Sequence, residues 1–115
     1  MATKSISLFK AWKFQVTTVF GEFTVDAVPP TVTEGLAIQE ESDGLGINEL
    51  LERVVIPFLC KHVQGYDGVD DLPEYPKKRK DREDFWKGVN SGVCFDAFHA
   101  VLENRMPPKS TEPDA

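Results

Sequence analysis

The chain has 115 residues, a net charge of −6 and an apolar fraction of 41%. A chain of this length buries enough surface to fold as one domain without a metal or a disulfide. Its apolar runs are shorter than the roughly 20 residues of a membrane span, and its N-terminus lacks the continuous apolar core of a signal peptide. We therefore expect a cytoplasmic protein that does not enter a membrane.

Acidic and basic residues are segregated along the sequence. Residues 21–75 contain twelve acidic and two basic residues, whereas residues 77–82 (KKRKDR) contain five basic residues and one acid. Such a polarised molecule could bind a basic partner through its acidic middle or associate head to tail; the alternative is that these charges only solvate the surface. Because phosphate binding needs a net basic face, we do not expect nucleic-acid binding.

The N-terminal part predicts a β-hairpin over residues 12–28. Apolar and polar residues alternate on both sides of Gly21-Glu22. Gly-X is typical of a two-residue type II′ turn, since glycine adopts a positive φ cheaply. A turn centred on this pair places Phe20 opposite Phe23 and brings the large apolar side chains to one face. A lone hairpin is marginal in water, so helices, a third strand or a second subunit must cover that face.

The hairpin has to end at Pro29-Pro30, because proline cannot donate to a strand ladder. Thr31 and Glu34 then fit a capping box. In this motif the Thr31 hydroxyl accepts from the Glu34 amide, and the Glu34 carboxylate accepts from the Thr31 amide. This signal predicts a helix over about 32–41.

A second, amphipathic helix is predicted over residues 47–63. Its apolar stripe has the i, i+3, i+4 spacing of a helix and consists of Ile47, Leu50, Leu51, Val54, Val55, Phe58 and Leu59. Pro57 lies inside this pattern and removes the hydrogen bond to the Arg53 carbonyl. We expect it to bend the helix, or to break it into two shorter ones.

The C-terminal half predicts a loop and two further helices. Residues 64–80 contain two glycines, two prolines and many charges, which is typical of a long connecting loop. Asp81 is placed to cap the next helix. A polar Asn-Ser-Gly break then separates this helix from the last one.

These elements predict an α+β fold. An N-terminal β-hairpin packs against a small, mostly α-helical bundle of about four helices, over about 32–41, 47–63, 82–89 and 92–105. Together they form a single domain over residues 1–105. Residues 106–115 have the composition of a disordered tail.

Two cysteine–histidine pairs suggest a zinc site, but their spacing argues against one. Cys60/His62 and Cys94/His99 lie on predicted helices, where side chains two and five residues apart diverge by about 200° and 140°. We predict buried free thiols and no metal. A nucleophilic pair across helices, such as Cys94 with His62, stays open. The sequence contains no phosphate-binding loop, nucleophile elbow or zinc-protease motif, so we predict no catalysis and no cofactor.

Three features together resemble a known family. A Pro-Pro-Thr step at 29–31 leads from a β-rich N-terminus into a helix, an amphipathic helix follows, and Glu-Asp-Phe-Trp at 83–86 opens the last helices. Over about 23–102 this layout resembles small tail assembly chaperones of long-tailed bacteriophages. The resemblance implies a non-catalytic protein of the host cytoplasm that coats the tape measure protein before tail-tube subunits polymerise around it.

Two sets of candidate binding residues are predicted from side-chain chemistry. A chaperone would bind its client and other copies of itself through aromatic anchors, for which the candidates are Trp12, Phe14, Phe85 and Trp86. The alternative is a small acidic inhibitor, or nucleic-acid mimic, that blocks a basic groove on a host protein. Its candidate residues are Glu40, Glu41, Asp43, Asp67, Asp70 and Asp71.

Overall fold

A computed structural model describes residues 10–104 and confirms the α+β class. The three strands form one antiparallel sheet in the order β1-β2-β3 and are β1 (Trp12–Thr18), β2 (Gly21–Ala27) and β3 (Val63–Asp67). The helical segments are α1 (Val32–Ser42), α2 (Ile47–Leu50), a π-helical turn (Leu51–Val55), α3 (Ile56–His62), α4 (Arg79–Lys87) and α5 (Ser91–Leu102). The predicted tail over 106–115 lies outside the described residues. No helix within 10–104 is long and apolar enough to cross a bilayer.

The hairpin is confirmed, but the predicted turn is wrong by two residues. Thr18 pairs with Gly21, so Val19 and Phe20 form the loop and Phe20 does not face Phe23. The Thr18 hydroxyl donates to the Gly21 carbonyl at 2.9 Å and accepts from the Phe20 amide at 3.0 Å. Gly21 has a φ of +132°, so its conformational freedom is used where β2 begins rather than inside the turn. Because the shift is an even number of residues, the same side chains still face the core.

The inward face of the hairpin is buried over its middle and exposed at its ends. Four side chains are at most 1% exposed, namely Phe14, Val16, Val25 and Ala27. Trp12 and Phe20, which the pattern assigns to the same face, are 49% and 75% exposed. They occupy the first position of β1 and the turn, so alternation alone overestimates how far the core extends.

The capping box that begins α1 is confirmed at both of its hydrogen bonds. The Glu34 amide donates to the Thr31 hydroxyl at 3.2 Å, and the Thr31 amide donates to the Glu34 carboxylate at 2.9 Å. The second carboxylate oxygen of Glu34 pairs with the Lys61 ammonium of α3. Lys61 and the Thr31 amide lower the pKa of Glu34 to about 2. α1 contains no buried residue, so this carboxylate and the partly buried Ile38, which packs against the core, attach the helix to the rest of the fold.

His62 joins the end of α3 to the end of the hairpin. The Val28 amide donates to the His62 carbonyl at 2.9 Å, and His62 Nδ1 lies 2.8 Å from the Val28 carbonyl. A carbonyl only accepts, so Nδ1 carries the proton, while Nε2 lies 3.8 Å from the Glu34 carboxylate. The imidazole also packs on the Phe58 ring, with 4.4 Å between centroids. Burial lowers the pKa of His62 below its usual 6.5.

The third strand is the element that sequence reasoning missed. The chain leaves α3 directly into β3, although the composition of residues 64–80 predicts a loop. Ala27 pairs with Val63 and Asp26 with Gly65, so one residue bulges between these pairs. The segment has weak strand propensity because it contains glycine. It is extended because the free edge of β2 supplies partners for its backbone groups.

Pro57 neither ends nor interrupts the helix over 47–62. The preceding turn widens into a π-helix, in which the Ile56 amide donates to the Leu51 carbonyl five residues earlier. Val55 and Ile56 keep right-handed helical dihedrals, so the backbone continues through the proline. Widening the turn accommodates a residue that has no amide hydrogen. The apolar stripe is correct except at its start, where Ile47 is 69% exposed.

The last two helices begin and end close to the predicted positions. The N-cap of α4 is Lys78 rather than Asp81, which lies within the first helical turn. The side chain of Asn90 caps α5 by accepting from the Gly92 amide at 2.8 Å. α5 packs on β1, and α4 packs on α3. The core therefore lies between the sheet and these helices.

The contribution of Glu34 to the free energy of unfolding should be measurable. We expect Glu34→Gln to lower the free energy of unfolding by about 1 kcal/mol at pH 7, because it removes the ion pair with Lys61 and the charge that strengthens the hydrogen bond from the Thr31 amide. The folded pKa lies below the unfolded value of 4.5, so the contribution is present above pH 4.5 and is lost as the pH falls towards 2. Urea unfolding at several pH values measures it. Glu40→Gln, in an exposed part of the same helix, is the control, and an equal loss in both variants would contradict this assignment.

His62 should make stability depend on pH in a separate window. Its folded pKa is below 6.5, so the unfolded chain takes up the proton first and stability falls as the pH drops below 6.5. One proton gives a slope of at most about 1.4 kcal/mol per pH unit. We expect His62→Gln to be less stable at pH 7 but to lack this slope between pH 6.5 and 5, whereas exposed His99→Gln should keep it. If His62→Gln keeps the slope, another titrating group causes the pH dependence.

Candidate functional site

The tip of the hairpin presents two adjacent apolar side chains to solvent. Val19 is 92% exposed and Phe20 75% exposed. Turns of this length are usually built from glycine, asparagine, aspartate, proline or serine, because those residues satisfy the backbone of a turn. Here Gly21 and the Thr18 hydroxyl meet these requirements from outside the loop. The two loop positions are thus free to carry side chains that the turn itself does not need.

Beside this tip lies an open apolar groove of about 320 Å³, which we call the hairpin-tip groove. It lies between the hairpin, the segment after β3 and the junction of α4 with α5. Its lining residues are Thr18, Phe20, Phe23, Val69, Asp71, Leu72, Gly88, Val89, Asn90 and Val93. Exposed apolar surface of this kind is typical of protein-binding sites.

The floor of the hairpin-tip groove is held by the core. Phe23, Leu72 and Val89 are partly buried and pack against the core side chains. Gly68 has a φ of +93°, and a Cβ placed there would lie 3.5 Å from the Phe23 Cβ, so the chain after β3 passes close over Phe23. The Tyr66 hydroxyl donates to the Pro73 carbonyl and fixes the same segment. Because these contacts already fix the groove, a partner that binds there pays little conformational entropy for ordering it.

One edge of the groove is acidic. Asp71 is among its lining residues, and Asp70 and Asp67 are exposed on the same segment. One carboxylate in an apolar groove, with two more on the segment that lines it, favours a partner whose apolar residues are flanked by lysine or arginine.

The six acidic candidates do not form one surface. Glu40, Glu41 and Asp43 are exposed at the C-terminal end of α1, which shares a groove with Phe98 and Leu102 near the end of α5. Asp71, on the segment that also carries Asp67 and Asp70, shares the hairpin-tip groove with Asn90 and Val93 at the beginning of α5. The two groups therefore lie near opposite ends of α5, a helix of 12 residues and roughly 18 Å. Only the second group adjoins the hairpin tip.

The aromatic candidates are mostly inside the protein. Phe14, Phe85 and Trp86 are 1%, 9% and 2% exposed, so their prediction as surface anchors is wrong for the folded chain. Trp86 also donates to the Tyr75 hydroxyl at 3.0 Å, which satisfies its indole inside the core. Only Trp12 remains accessible. The residues that sequence reasoning missed are Val19 and Phe20, and the signal for them was an apolar pair directly before the turn glycine.

The cysteines and histidines do not form a reactive pair. The Cys94 thiol lies 3.3 Å from the Trp86 carbonyl, whereas His62 Nδ1 donates to Val28, so the pairing that stayed open from the sequence is not formed. Burial raises the pKa of Cys94 to about 11 and raises that of Cys60 as well. Both thiols are buried and free, as predicted. Within residues 10–104, no group of three or more His, Cys, Asp and Glu side chains could hold a metal ion.

Comparison of the chain with protein-family models, with curated proteins and with solved structures gave no match. Inference about function therefore rests on the geometry of the described residues. That geometry points to binding through the hairpin tip, since exposed apolar side chains, a groove and a charged edge coincide there.

The tip residues should be dispensable for folding. We expect the double variant Val19→Ser, Phe20→Ser to change the free energy of unfolding by less than about 1 kcal/mol, because both side chains are largely exposed. Phe14→Ala should cost about 3–5 kcal/mol, because it leaves a cavity in the core. Denaturant unfolding compares the two. A large loss in the tip variant would show that the tip is structural.

Proposed function

We propose that this protein is a non-catalytic chaperone that binds an apolar segment of another protein in the hairpin-tip groove. The observation that carries the proposal is the exposure of Val19 and Phe20 beside that groove. Burying two large apolar side chains gives a partner a central anchor, and the surrounding groove excludes water from it. The edge with Asp70 and Asp71 selects for a partner that carries positive charge next to its apolar residues.

The client that fits this chemistry is an amphipathic helix with basic residues flanking its apolar stripe. Such a helix docks in a groove through side chains at i, i+3, i+4 and i+7. The resemblance of the sequence to phage tail assembly chaperones supplies a specific identity for the client. We propose that it is a tape measure protein, that tail-tube subunits are the second partner, and that the complex forms in the host cytoplasm with self-association of the chaperone.

The acidic-inhibitor alternative is supported less well by the geometry. It requires six carboxylates to act as one continuous surface, and they lie in two groups at opposite ends of α5. The group after β3 borders an apolar groove, which a mimic of the nucleic-acid backbone does not need. The same aspartates have a use in the chaperone proposal, as the edge that orients the client.

Substitution at the tip should weaken client binding without unfolding the protein. The probe is a fluorescent helical peptide with a leucine stripe flanked by lysines, measured by anisotropy against the full chain. We expect Val19→Ser, Phe20→Ser to weaken binding about tenfold or more, because the anchor is lost. Asp70→Asn, Asp71→Asn should weaken it less and should reduce its dependence on salt. Light scattering with and without a tape measure fragment then tests the identity of the client.

The matched control is Val32→Ser, Leu36→Ser, which removes two apolar side chains of similar exposure from α1. Its peptide affinity should equal that of the wild type. Equal losses in the two double variants would mean that binding is non-specific, and no binding by the wild type would refute the groove as a client site. A protein that binds the peptide but stays monomeric and ignores the fragment would retain the binding function and reject the tape measure protein as client.

A further inference from the structure

Cations whose side chains lack a partner in the described residues cluster at the start of α4 and on the neighbouring helix. Ten lysine and arginine residues fall within 10–104. Five of them contact described residues through ion pairs, hydrogen bonds or rings, namely Lys10, Lys13, Lys61, Arg82 and Lys87. The side chains of the other five make no such contact with the described part of the chain, and these residues are Arg53, Lys77, Lys78, Arg79 and Lys80. We call these five residues the basic surface.

Two open grooves that both include Pro57 and Arg79 bring three members of the basic surface together, namely Arg53, Arg79 and Lys80. The first, of about 210 Å³, lies between α1 and the helix over 47–62, and both Arg53 and Arg79 line it. Its apolar wall consists of Ala37, Ile38, Val54 and Phe58. The second, of about 370 Å³, lies between α3 and α4 and is lined by Arg79 and Lys80. Two guanidinium groups thus border a small apolar depression.

The start of α4 is held in place for this arrangement. Arg82 donates from Nε to the Pro76 carbonyl at 2.9 Å and from Nη1 to the Cys60 carbonyl at 3.3 Å. Its guanidinium also lies over the Tyr75 ring, 5.1 Å from the centroid. These contacts tie the segment before α4 to α3, so the cations of α4 project from a supported backbone. A supported surface loses little freedom when it binds.

Helix stability does not explain the placement of these cations. The N-terminus of a helix carries partial positive charge, so Lys78 at the N-cap, and Arg79 and Lys80 beside it, are unfavourable for α4. Lys78 also provides no side-chain cap. Arg53 reinforces the charge from a different helix. These cations destabilise the N-terminus of α4 and have no carboxylate partner in the described residues. They are therefore available to bind an anion from outside the chain.

We propose that the basic surface binds an acidic peptide segment that carries an apolar side chain. The apolar side chain enters the groove between α1 and the helix over 47–62, and carboxylates on either side pair with Arg53 and Arg79. Arginine suits this role because its planar guanidinium binds a carboxylate through two parallel hydrogen bonds. The proposal is independent of the hairpin-tip groove, which lies at the other end of α4 and has the opposite charge. The protein then has two surfaces that select partners of opposite charge.

The surroundings favour a peptide over a nucleic acid. Single-stranded nucleic acids bind where exposed aromatic rings stack on bases along a basic track. Here the nearby aromatic residues Tyr75 and Trp86 are half-buried and buried. Glu34, Glu41 and Glu83 also line the two grooves. A phosphate backbone carries a charge at every nucleotide and cannot avoid these carboxylates, whereas a peptide can place its acidic residues beside Arg53 and Arg79 and neutral ones elsewhere.

Anisotropy titration of the full chain tests the proposal. The probe is a labelled peptide of glutamates and aspartates around one leucine, and the comparison probes are its Gln/Asn analogue and a single-stranded oligonucleotide. We expect saturable binding of the acidic peptide that weakens with salt, and little binding of the neutral analogue. Arg53→Gln, Arg79→Gln should weaken the acidic peptide at least about tenfold. Circular dichroism establishes that each variant is folded.

The matched control is Lys13→Gln, Lys87→Gln, which removes two exposed cations outside the basic surface. Its affinity should lie within about twofold of the wild type, since neither ammonium lines the grooves at Pro57. Three results would overturn the proposal: no saturable binding of the peptide, equal losses in the two double variants, or tighter binding of the oligonucleotide than of the peptide. Loss of binding in Val19→Ser, Phe20→Ser would also overturn it, because the peptide would then be using the hairpin-tip groove.

Discussion

The reciprocal hydrogen bonds between Val28 and His62 connect the two halves of this fold. They join the residue after β2 to the last residue of α3, although 33 residues separate the two along the chain. Because the contact brings the end of α3 beside β2, the next residue can enter the sheet at once as β3. The segment between Val28 and His62 must therefore begin and end at the same place, and it does so by folding into α1 and the helix over 47–62. The buried imidazole takes part through Nδ1, so the connection depends on which ring nitrogen carries the proton.

Burial of the helix over 47–62 explains why its backbone continues through Pro57. From Val54 onwards its side chains are buried on almost every side, because α4 packs on α3 while α5 packs on the preceding π-helical turn. A break at Pro57 would leave backbone groups unpaired in this apolar setting, which costs more than a widened turn. The π-helical turn keeps the helix continuous and turns Pro57 towards solvent, where it separates the two grooves of the basic surface.

The distribution of surface chemistry results from the same architecture. α4 runs between two surfaces of opposite character, with unpaired cations at its N-terminus and an apolar groove with an acidic edge at its C-terminus. The exposed side chains of Val19 and Phe20 and the five cations of the basic surface lie outside the core, which is between the sheet and the helices. A small domain can use both ends at once and bring together two partners that differ in charge.

Features that depend on neighbours in the chain were determined by the sequence alone. The capping box needs only Thr31 and Glu34, and the end of the hairpin needs only the missing amide hydrogens of Pro29 and Pro30, so both were predicted correctly. The strand period of two and the helix period of 3.6 were likewise enough for the α+β class. The burial of Cys60 and Cys94 was also predictable from their positions beside apolar stripes.

Features that depend on distant residues were decided by tertiary structure. The hairpin register is set by seven cross-strand pairs rather than by the preference of one glycine, and β3 is a strand only because the edge of β2 lies beside it. Burial separated Trp12 and Phe20 from the other aromatics, and it removed Phe14, Phe85 and Trp86 from the candidate site. The two proposed binding surfaces could not be predicted from the sequence for the same reason, since the hairpin-tip groove and the basic surface each combine residues from segments that only folding brings together.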